Sequence, residues 1–465
     1  MSNHTADEHA RIAAELQGRW PEHRIGPSLD RIRSLCDLMG NPQRGYPVIQ
    51  ITGTNGKGST AIMIEKILLA MGLRVGRFSS PHLEDMTERI CVDGEPLIHE
   101  RFDELWGEVR PLAELLDADR VGGIELTFFE AMTGLAYWAF AEAPVDVAIM
   151  EVGLGGLTDA TNVADASVAV ICPIDFDHMH ILGDTLEQIA TEKAGIIKPG
   201  STAVIAEQRP KAASVLLDRC AEVGARAVLE GDGFALLGRR PGVGGQVLRL
   251  EGVGGPVDDL ALPLFGAHMA RNAALALGAV EAFLGGKPVP PDALAEGLEA
   301  VRAPARLEVV RTGPTVIIDT CHNPHGARAT VDGLTESFDL EPLIVVVAMM
   351  ADKDVEGVLE ILAEQAATFV CTRVASTGRG LDTDELAEMA AGFVGEERVE
   401  RASGMADALE TAIRLADEAG PGAGVLVGGS VIAAGEARAL LVRHGDDPEP
   451  DAWADEDADG LGGPA

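Results

Sequence analysis

Residues 48–60 read VIQITGTNGKGST. An apolar run ends in a glycine-rich turn, and a helical pattern follows. Strand, glycine loop and helix in that order form the context in which a phosphate cradle works. Gly53, Gly56 and Gly58 let the backbone approach an anion, and successive N–H groups can point inward. The helix N-terminus adds a positive dipole end. Lys57 supplies a point charge for β- and γ-phosphates, and Ser59 or Thr60 offers a hydroxyl to Mg2+ or phosphate. The loop departs from the common G-x-x-x-x-G-K-[ST] pattern: Ile51 holds the first glycine position and Gly58 follows the lysine. An ordinary glycine-rich turn is the alternative reading. The lysine and hydroxyls in this context favour a nucleotide.

Beyond the loop, Ile64, Ile67, Leu68 and Met71 share one helix face, and Gly72 suits the position just past that helix. Strands are predicted at 47–53, 145–153, 167–174 and 201–208, nearly continuous in apolar residues, as in a parallel sheet covered on both faces. From about residue 230 to 265 the chain turns glycine-rich with short alternating pieces, read as a small β side sheet. VRAPARLE (301–308) marks a boundary, and four further strands follow at 315–321, 343–350, 367–374 and 424–430. The fold class is α/β. A P-loop-type parallel-sheet ATPase domain with a small β side sheet spans 28–302, and a smaller doubly wound, Rossmann-like domain spans 303–443. Residues 1–27 are an N-terminal extension and 444–465 an acidic, disordered tail.

The 465 residues carry 37 Lys and Arg against 74 Asp and Glu, a formal net charge of −37. Such a chain is a poor general binder of nucleic acid and is repelled by anionic membranes. An anionic substrate therefore needs a locally basic pocket. Arg77, Arg89, Lys193 and Lys198 lie near the motifs in sequence and are expected to supply it. The six cysteines are scattered and none forms C-x-x-C, which argues against a disulfide framework or a zinc site and fits a reducing cytoplasm. No apolar signal segment opens the chain. The apolar stretch from Phe128 to Phe140 is too short to span a bilayer and reads as a buried helix.

Glu151 ends an apolar run and precedes Gly153, Gly155 and Gly156, the place for the carboxylate that a P-loop enzyme uses to hold Mg2+. A strand-end salt-bridging role is the alternative. His178 and His180 follow the next strand; His178 is favoured as a ligand and His180 is a bystander. By itself, Lys193 reads as a surface lysine. In the second domain Asp319 and His322 stand just past a strand's C-terminal end, where open α/β sheets bind ligands. Asp319 suits a ribose hydroxyl and His322 a phosphate; turn chemistry is the alternative for both. Arg306 sits where it can reach across to phosphates.

Taken together, ITGTNGKGST, SSPHL, EVGLGGLTDATN, DHMHILGDTLEQIATEKAGIIK, PARLE, IDTCHNPHG and ADKD resemble the folylpolyglutamate synthases, including the bifunctional dihydrofolate synthases, of the Mur ligase superfamily. The matching segments run in family order from about residue 28 to 440. The resemblance implies an ATP-dependent ligase that adds L-glutamate to tetrahydrofolate and to 7,8-dihydropteroate through an acyl phosphate. It implies that Gly53, Thr54, Asn55, Gly56, Lys57, Gly58, Ser59 and Thr60 cradle ATP, with contacts from Asn272, Arg306 and Asp319, and with His322 near the phosphates. Ser80 and Glu151 would bind one Mg2+; His178 and Glu151 would help hold a second. Lys193 matches a lysine that is carbamylated in the family. Thr127, Thr158 and Asp159 match positions near the pterin. Two departures stand out: Ala348 replaces a common glycine and Thr158 an apolar residue. The expected partners are L-glutamate and folate or dihydropteroate, with no nucleic acid and no membrane, and the protein is expected to be a monomer. Another Mur-type carboxylate–amine ligase is the nearest alternative. A GTPase would carry N-K-x-D, and no Asn here precedes a Lys. A regulatory ATP-binding module would show no glutamate-dependent phosphate release.

Overall fold

The structure, a computed structural model, describes residues 2–20 and 28–442. The acidic segment 444–465 lies outside the described residues, as do residues 21–27. The first sheet contains β1 (Val48–Thr52), β2 (Val75–Phe78), β3 (Ile90–Val92), β4 (Glu95–Pro96), β5 (Val147–Glu151), β6 (Val168–Ile171), β7 (Thr202–Ile205) and β8 (Arg226–Leu229). Their spatial order is β4-β3-β2-β5-β1-β6-β7-β8, parallel from β2 to β8 and closed at one edge by the antiparallel β3–β4 pair. A separate antiparallel sheet holds β9 (Ala235–Gly242), β10 (Gly245–Gly252) and β11 (Gly255–Leu262). The last sheet is built from β12 (Glu308–Thr312), β13 (Thr315–Ile318), β14 (Leu343–Val347), β15 (Ala366–Cys371), β16 (Val399–Arg401) and β17 (Gly424–Gly428). Its order is β12-β13-β17-β14-β15-β16, with only β12 antiparallel.

Helices cover both faces of the first sheet. On one side lie α1 (Ser2–Gln17), α2 (Asp30–Leu38) and, after the phosphate-loop helix α3 (Lys57–Ala70) of the opposite side, α4 (His99–Asp119) and α5 (Phe128–Glu142). The short α6 (Met179–Leu182) leads to α7 (Leu186–Ala194) and α8 (Pro210–Val223), which cover Ala169, Ile171, Ala203 and Ile205. Then α9 (Ala267–Phe283) and α10 (Pro291–Glu299) pack beside α3. Strand alternation divides β1 between the two layers: Ile49 and Ile51 enter the α3, α9 and α10 side, Val48 the α1, α2, α4 and α5 side. All five residues of β1 are buried, which is why the run reads as nearly continuous in apolar residues. Its polar members are both bonded: Gln50 Nε2 donates to Thr161 Oγ1 at 3.0 Å, and Thr52 Oγ1 to Gly155 O at 2.8 Å. The side sheet turns Leu248, Leu250, Leu260 and Leu262 into the α9 layer. In the last domain, α11 (Pro324–Ser337), α12 (Val355–Leu362) and α13 (Thr383–Val394) cover one face; α14 (Met405–Ala419) and α15 (Val431–Leu441) cover the other.

The interior strand β2 and the strands at or next to the sheet edges go beyond those read from the sequence. β4, β8, β12 and β16 are short or partly exposed and carry charge, so no apolar run announces them, and the apolar β3 is only three residues long. The segment before residue 28 includes α1, whose Ile12 and Leu16 are buried in the α4–α5 layer. The apolar stretch at 128–140 is the buried α5, as expected. All six cysteines are buried free thiols. Among the described residues, no helix is long and apolar enough to cross a membrane.

The phosphate-loop helix is gripped from outside by α10. A Cβ on Gly297 would lie 2.6 Å from Ile67 Cα and 2.9 Å from Ile67 N, both backbone atoms with no rotamer to yield. Gly→Ala within a helix gains about 1 kcal/mol of propensity. Overpacking against a fixed neighbour costs about 1–3 kcal/mol, and backbone contact puts this site at the upper end. Gly297→Ala is therefore expected to lower the urea midpoint followed by circular dichroism. An unchanged or raised midpoint would refute the tight α3–α10 contact.

Candidate active site

The loop after β1 is shaped by two glycines. Gly53 has φ 150°, and a Cβ there would come within 2.5 Å of Cys172 Cβ, so the loop passes against the end of β6. Gly56 has φ 87°, and a Cβ there would meet Asn272 Oδ1 at 2.9 Å. Gly58 plays a different part: it lies in the first turn of α3, and its missing side chain leaves space beside Glu151 Oε2, 3.6 Å from the Cβ position. Thr54 pins the loop to the neighbouring chain through Pro173 O at 3.0 Å and Asp175 O at 2.9 Å. Lys57 folds back, donating to Gly53 O and Thr54 O at 3.3 Å.

Lys193, on α7, donates to the same Gly53 carbonyl at 2.9 Å. Burial, with the charge of Lys57 adding to it, lowers the Lys193 ammonium to about 7. The amine is therefore partly neutral near physiological pH. A residue that reads as a solvated lysine in sequence is in fact 5% exposed.

Glu151 ends β5 beside the loop, 4% exposed. Burial raises its carboxyl above the ordinary value, opposed by Lys57, the Ser80 N–H, Arg306 and Arg77. It accepts one hydrogen bond, from Ser80 N at 3.3 Å. A carboxylate has about four acceptor sites. A buried carboxylate with spare lone pairs next to a serine is a hard-oxygen donor set and fits Mg2+. His178, at the start of α6, adopts the left-handed conformation with φ 50° and ψ 37°. Burial lowers its imidazole to about 4, so the ring is neutral and able to ligate.

The C-terminal domain meets this wall directly. Asn55 and Asn323 exchange side-chain amide bonds at 3.2 and 3.1 Å, and Asn55 Nδ2 lies 2.8 Å from His325 Nδ1. His322 Nε2 is 3.5 Å from Asp177 Oδ2. Burial would raise the Asp177 carboxyl, but the His322 bond and the Lys353 ammonium hold it well below the usual carboxylate range. Lys353 completes the group, 2.8 Å from Asp177 Oδ1.

An 880 Å³ cavity opens between the two domains. Gly53, Thr54, Lys57, Ser80, His178, Lys193 and His322 line it, and so do Thr127, Thr158, Asp159 and His180. Thr127 also N-caps α5 in a capping box with Glu130. Asp159 accepts from Leu154 N, Thr161 N and Thr161 Oγ1, so its carboxylate already organises the turn beneath the cavity. Asn272, Arg306 and Asp319 do not line this cavity. Asn272 faces Gly56 from α9, Arg306 donates to Thr320 Oγ1, and Asp319 accepts from Leu307 N, Cys321 N and Thr330 Oγ1.

Two of the expected basic residues do not reach the cavity. Arg77 is paired with Glu65 at 2.9 Å, and Lys198 donates to Asn162 O; neither lines the cavity, whereas Arg89 and Lys193 do. Nearness to a motif in sequence misplaced them. The cavity also recruits residues that the sequence did not single out, among them Arg31, paired with Glu130 at 2.9 Å, His82, Lys353 and Arg379. Arg31 had one legible sign, a cation among the buried Ile32, Leu35 and Cys36 of α2. A further cluster, His9, Asp85 and His99, lies outside the cavity lining. Its imidazoles stack 3.8 Å apart and 8° from parallel, so their in-plane lone pairs run side by side and do not converge on a cation.

Comparison with known proteins agrees with this architecture. Residues 51–280 match the Mur ligase middle domain, and residues 305–431 the Mur ligase, glutamate ligase domain. The chain is 44% identical over 452 residues to the dihydrofolate synthase/folylpolyglutamate synthase of Mycobacterium tuberculosis, covering 92% of this chain and 93% of that one. A crystal structure of Mycobacterium tuberculosis folylpolyglutamate synthase, from work on its complexes with ADP and AMPPCP, superposes with a TM-score of 0.90 at 43% identity, over 94% of this chain and 99% of that one. A folylpolyglutamate synthase–AMPPCP–folate complex gives 0.82 at 31% identity, over 94% and 100%. With its phosphate loop, its carboxylate at the end of β5 and its two matching domains, the chain belongs to the Mur ligase family, in the branch of the folylpolyglutamate and dihydrofolate synthases.

Proposed function

We propose that this protein is an ATP-dependent ligase that adds L-glutamate to tetrahydrofolate and to 7,8-dihydropteroate, acting as a cytoplasmic monomer. The observation that carries the reading is the cavity itself. At 880 Å³ it accommodates an acceptor of folate size, and it brings the phosphate-loop lysine, a buried second lysine and cations of the C-terminal domain to one space. Relatives of this chain bear the names of both activities, and one related structure holds AMPPCP with folate.

An amide does not form usefully from a carboxylate and an amine in water without activation. The acceptor's carboxylate oxygen attacks the γ-phosphorus of ATP, the bond to the β-phosphate oxygen breaks, and ADP leaves. The glutamate amine then attacks the acyl carbon, loses a proton, and inorganic phosphate departs. Lys57 and the loop N–H groups stabilise charge on the transferring phosphoryl group. Mg2+, held by Ser80 and Glu151 with a second ion at Glu151 and His178, would neutralise phosphate charge. Closure of the two domains excludes water and protects the acyl phosphate from hydrolysis. Asn272, Arg306 and Asp319 serve the nucleotide, while Thr127, Thr158 and Asp159 serve the pterin end.

Two measurements test this. Purified protein given ATP, L-glutamate and either acceptor should yield the glutamylated product, with phosphate release dependent on glutamate. Glu151→Ala should lower kcat by about 10²-fold or more. ATP consumption that is equal with and without the amino acid would end the reading. Lys193 is proposed to carry a carbamate, formed when its neutral amine adds to CO2. Its amine is protonated below about pH 7 and neutral above, so the ¹³C carbamate signal from labelled bicarbonate should grow as pH rises from 6 to 8. Lys193→Ala should be inactive and regain activity with a short carboxylic acid; full activity without rescue would remove the carbamate.

A further inference from the structure

Asp177 and His178 leave the first sheet beyond β6 and meet Lys353, which follows β14 of the last sheet. Lys353 Nζ lies 2.8 Å from Asp177 Oδ1 and 3.2 Å from His178 Nε2. Side-chain exposure of the ion pair is 11% and 12%, so water screens it little. An ammonium has donors only, so His178 Nε2 is the acceptor and its lone pair is committed to Lys353. The left-handed backbone of His178 is unusual for a residue with a β-carbon, and a bend of that kind persists where the surroundings hold it.

We propose that Lys353 is a positioning residue that competes with a divalent cation for His178, so that cation loading and the interdomain Lys353–His178 contact exclude each other. The inference rests on the reading of His178 as a cation ligand. A metal on Nε2 needs the lone pair that Lys353 now holds. A metal on Nδ1 leaves the proton on Nε2, facing the ammonium. Either nitrogen therefore expels Lys353 from the ring, and it keeps Asp177 alone. Two other pairs between the halves, Arg239–Glu336 at 2.6 Å and Arg438–Glu84 at 2.7 Å, do not involve His178. The arrival of the cation at the first domain is thereby felt by the β14 loop of the second.

The test is Mn2+ affinity in the full-length protein with AMPPCP, read by electron paramagnetic resonance and not by turnover. Lys353→Met should tighten Mn2+ about tenfold, because a unit charge a few ångströms away is removed. Lys353→Arg should bind as wild type. Lys353→Gln should tighten as methionine does and serves if methionine impairs folding. Arg379→Gln removes another cavity cation that makes no bond to His178 and should change nothing. Unchanged or weaker Mn2+ binding in both neutral Lys353 variants overturns the proposal, as does equal tightening in Arg379→Gln. His178→Ala separates the two layers. Weaker Mn2+ binding there upholds the ligand role, whatever Lys353 does; unchanged binding removes that role and the competition with it.

Discussion

The constraint on which the site depends is the approach of the phosphate loop to its neighbours. Gly53 passes where a Cβ would sit 2.5 Å from Cys172 Cβ, and Gly56 turns against Asn272. That approach places the Gly53 carbonyl where both Lys57 and Lys193 donate to it. It also brings the first turn of α3 against Glu151, with Gly58 leaving the gap. A side chain at Gly53 would push the loop off β6, and the lysines and the carboxylate would lose their common reference. The site is built around one strand end, and the helices on both sheet faces hold that strand in place.

Charge inside the cleft obeys a different rule from charge outside it. The whole chain carries twice as many acidic as basic residues. The cavity lining reverses this: six Lys and Arg against five Asp and Glu, with four histidines. Several of these charges cancel locally, Arg31 with Glu130, Lys353 with Asp177 and Arg379 with Asp352. Lys57 is not in such a pair; it rests on the backbone carbonyls of Gly53 and Thr54. Carbonyl dipoles hold an ammonium without neutralising it, so the cradle stays attractive to phosphate inside an acidic protein.

What the sequence made legible follows burial and separation along the chain. β1, β5, β6, β14 and β17 are buried throughout and read as apolar runs. β4 is a Glu–Pro pair and β16 reads Val-Glu-Arg, so nothing apolar marks them. The phosphate loop was legible because its residues are contiguous. Arg31–Glu130 and Asp177–Lys353 were not: their members stand 99 and 176 residues apart, and each alone looks like a solvated charge. Arg77 and Lys198 show the opposite error, since both lie near motifs, yet Arg77 spends its donors on Glu65, Ser79 and Cys91 and Lys198 donates to Asn162 O.

The same separation explains why the C-terminal domain contributes so much to a site whose loop belongs to the first. Asn323 caps α11 through Gly326 N and reaches Asn55 with the same side chain. Pro324 fixes the first helical position, where no N–H is needed. The cap that starts α11 therefore also sets how the second domain meets the phosphate loop. Asp319 works from below, holding Leu307 N, Cys321 N and Thr330 Oγ1, so that β13 delivers His322 and Asn323 at a fixed height. Turn chemistry and function are not alternatives here. The Asp and Asn-Pro that read as ordinary turn formers are the means by which one domain is registered against the other's nucleotide loop.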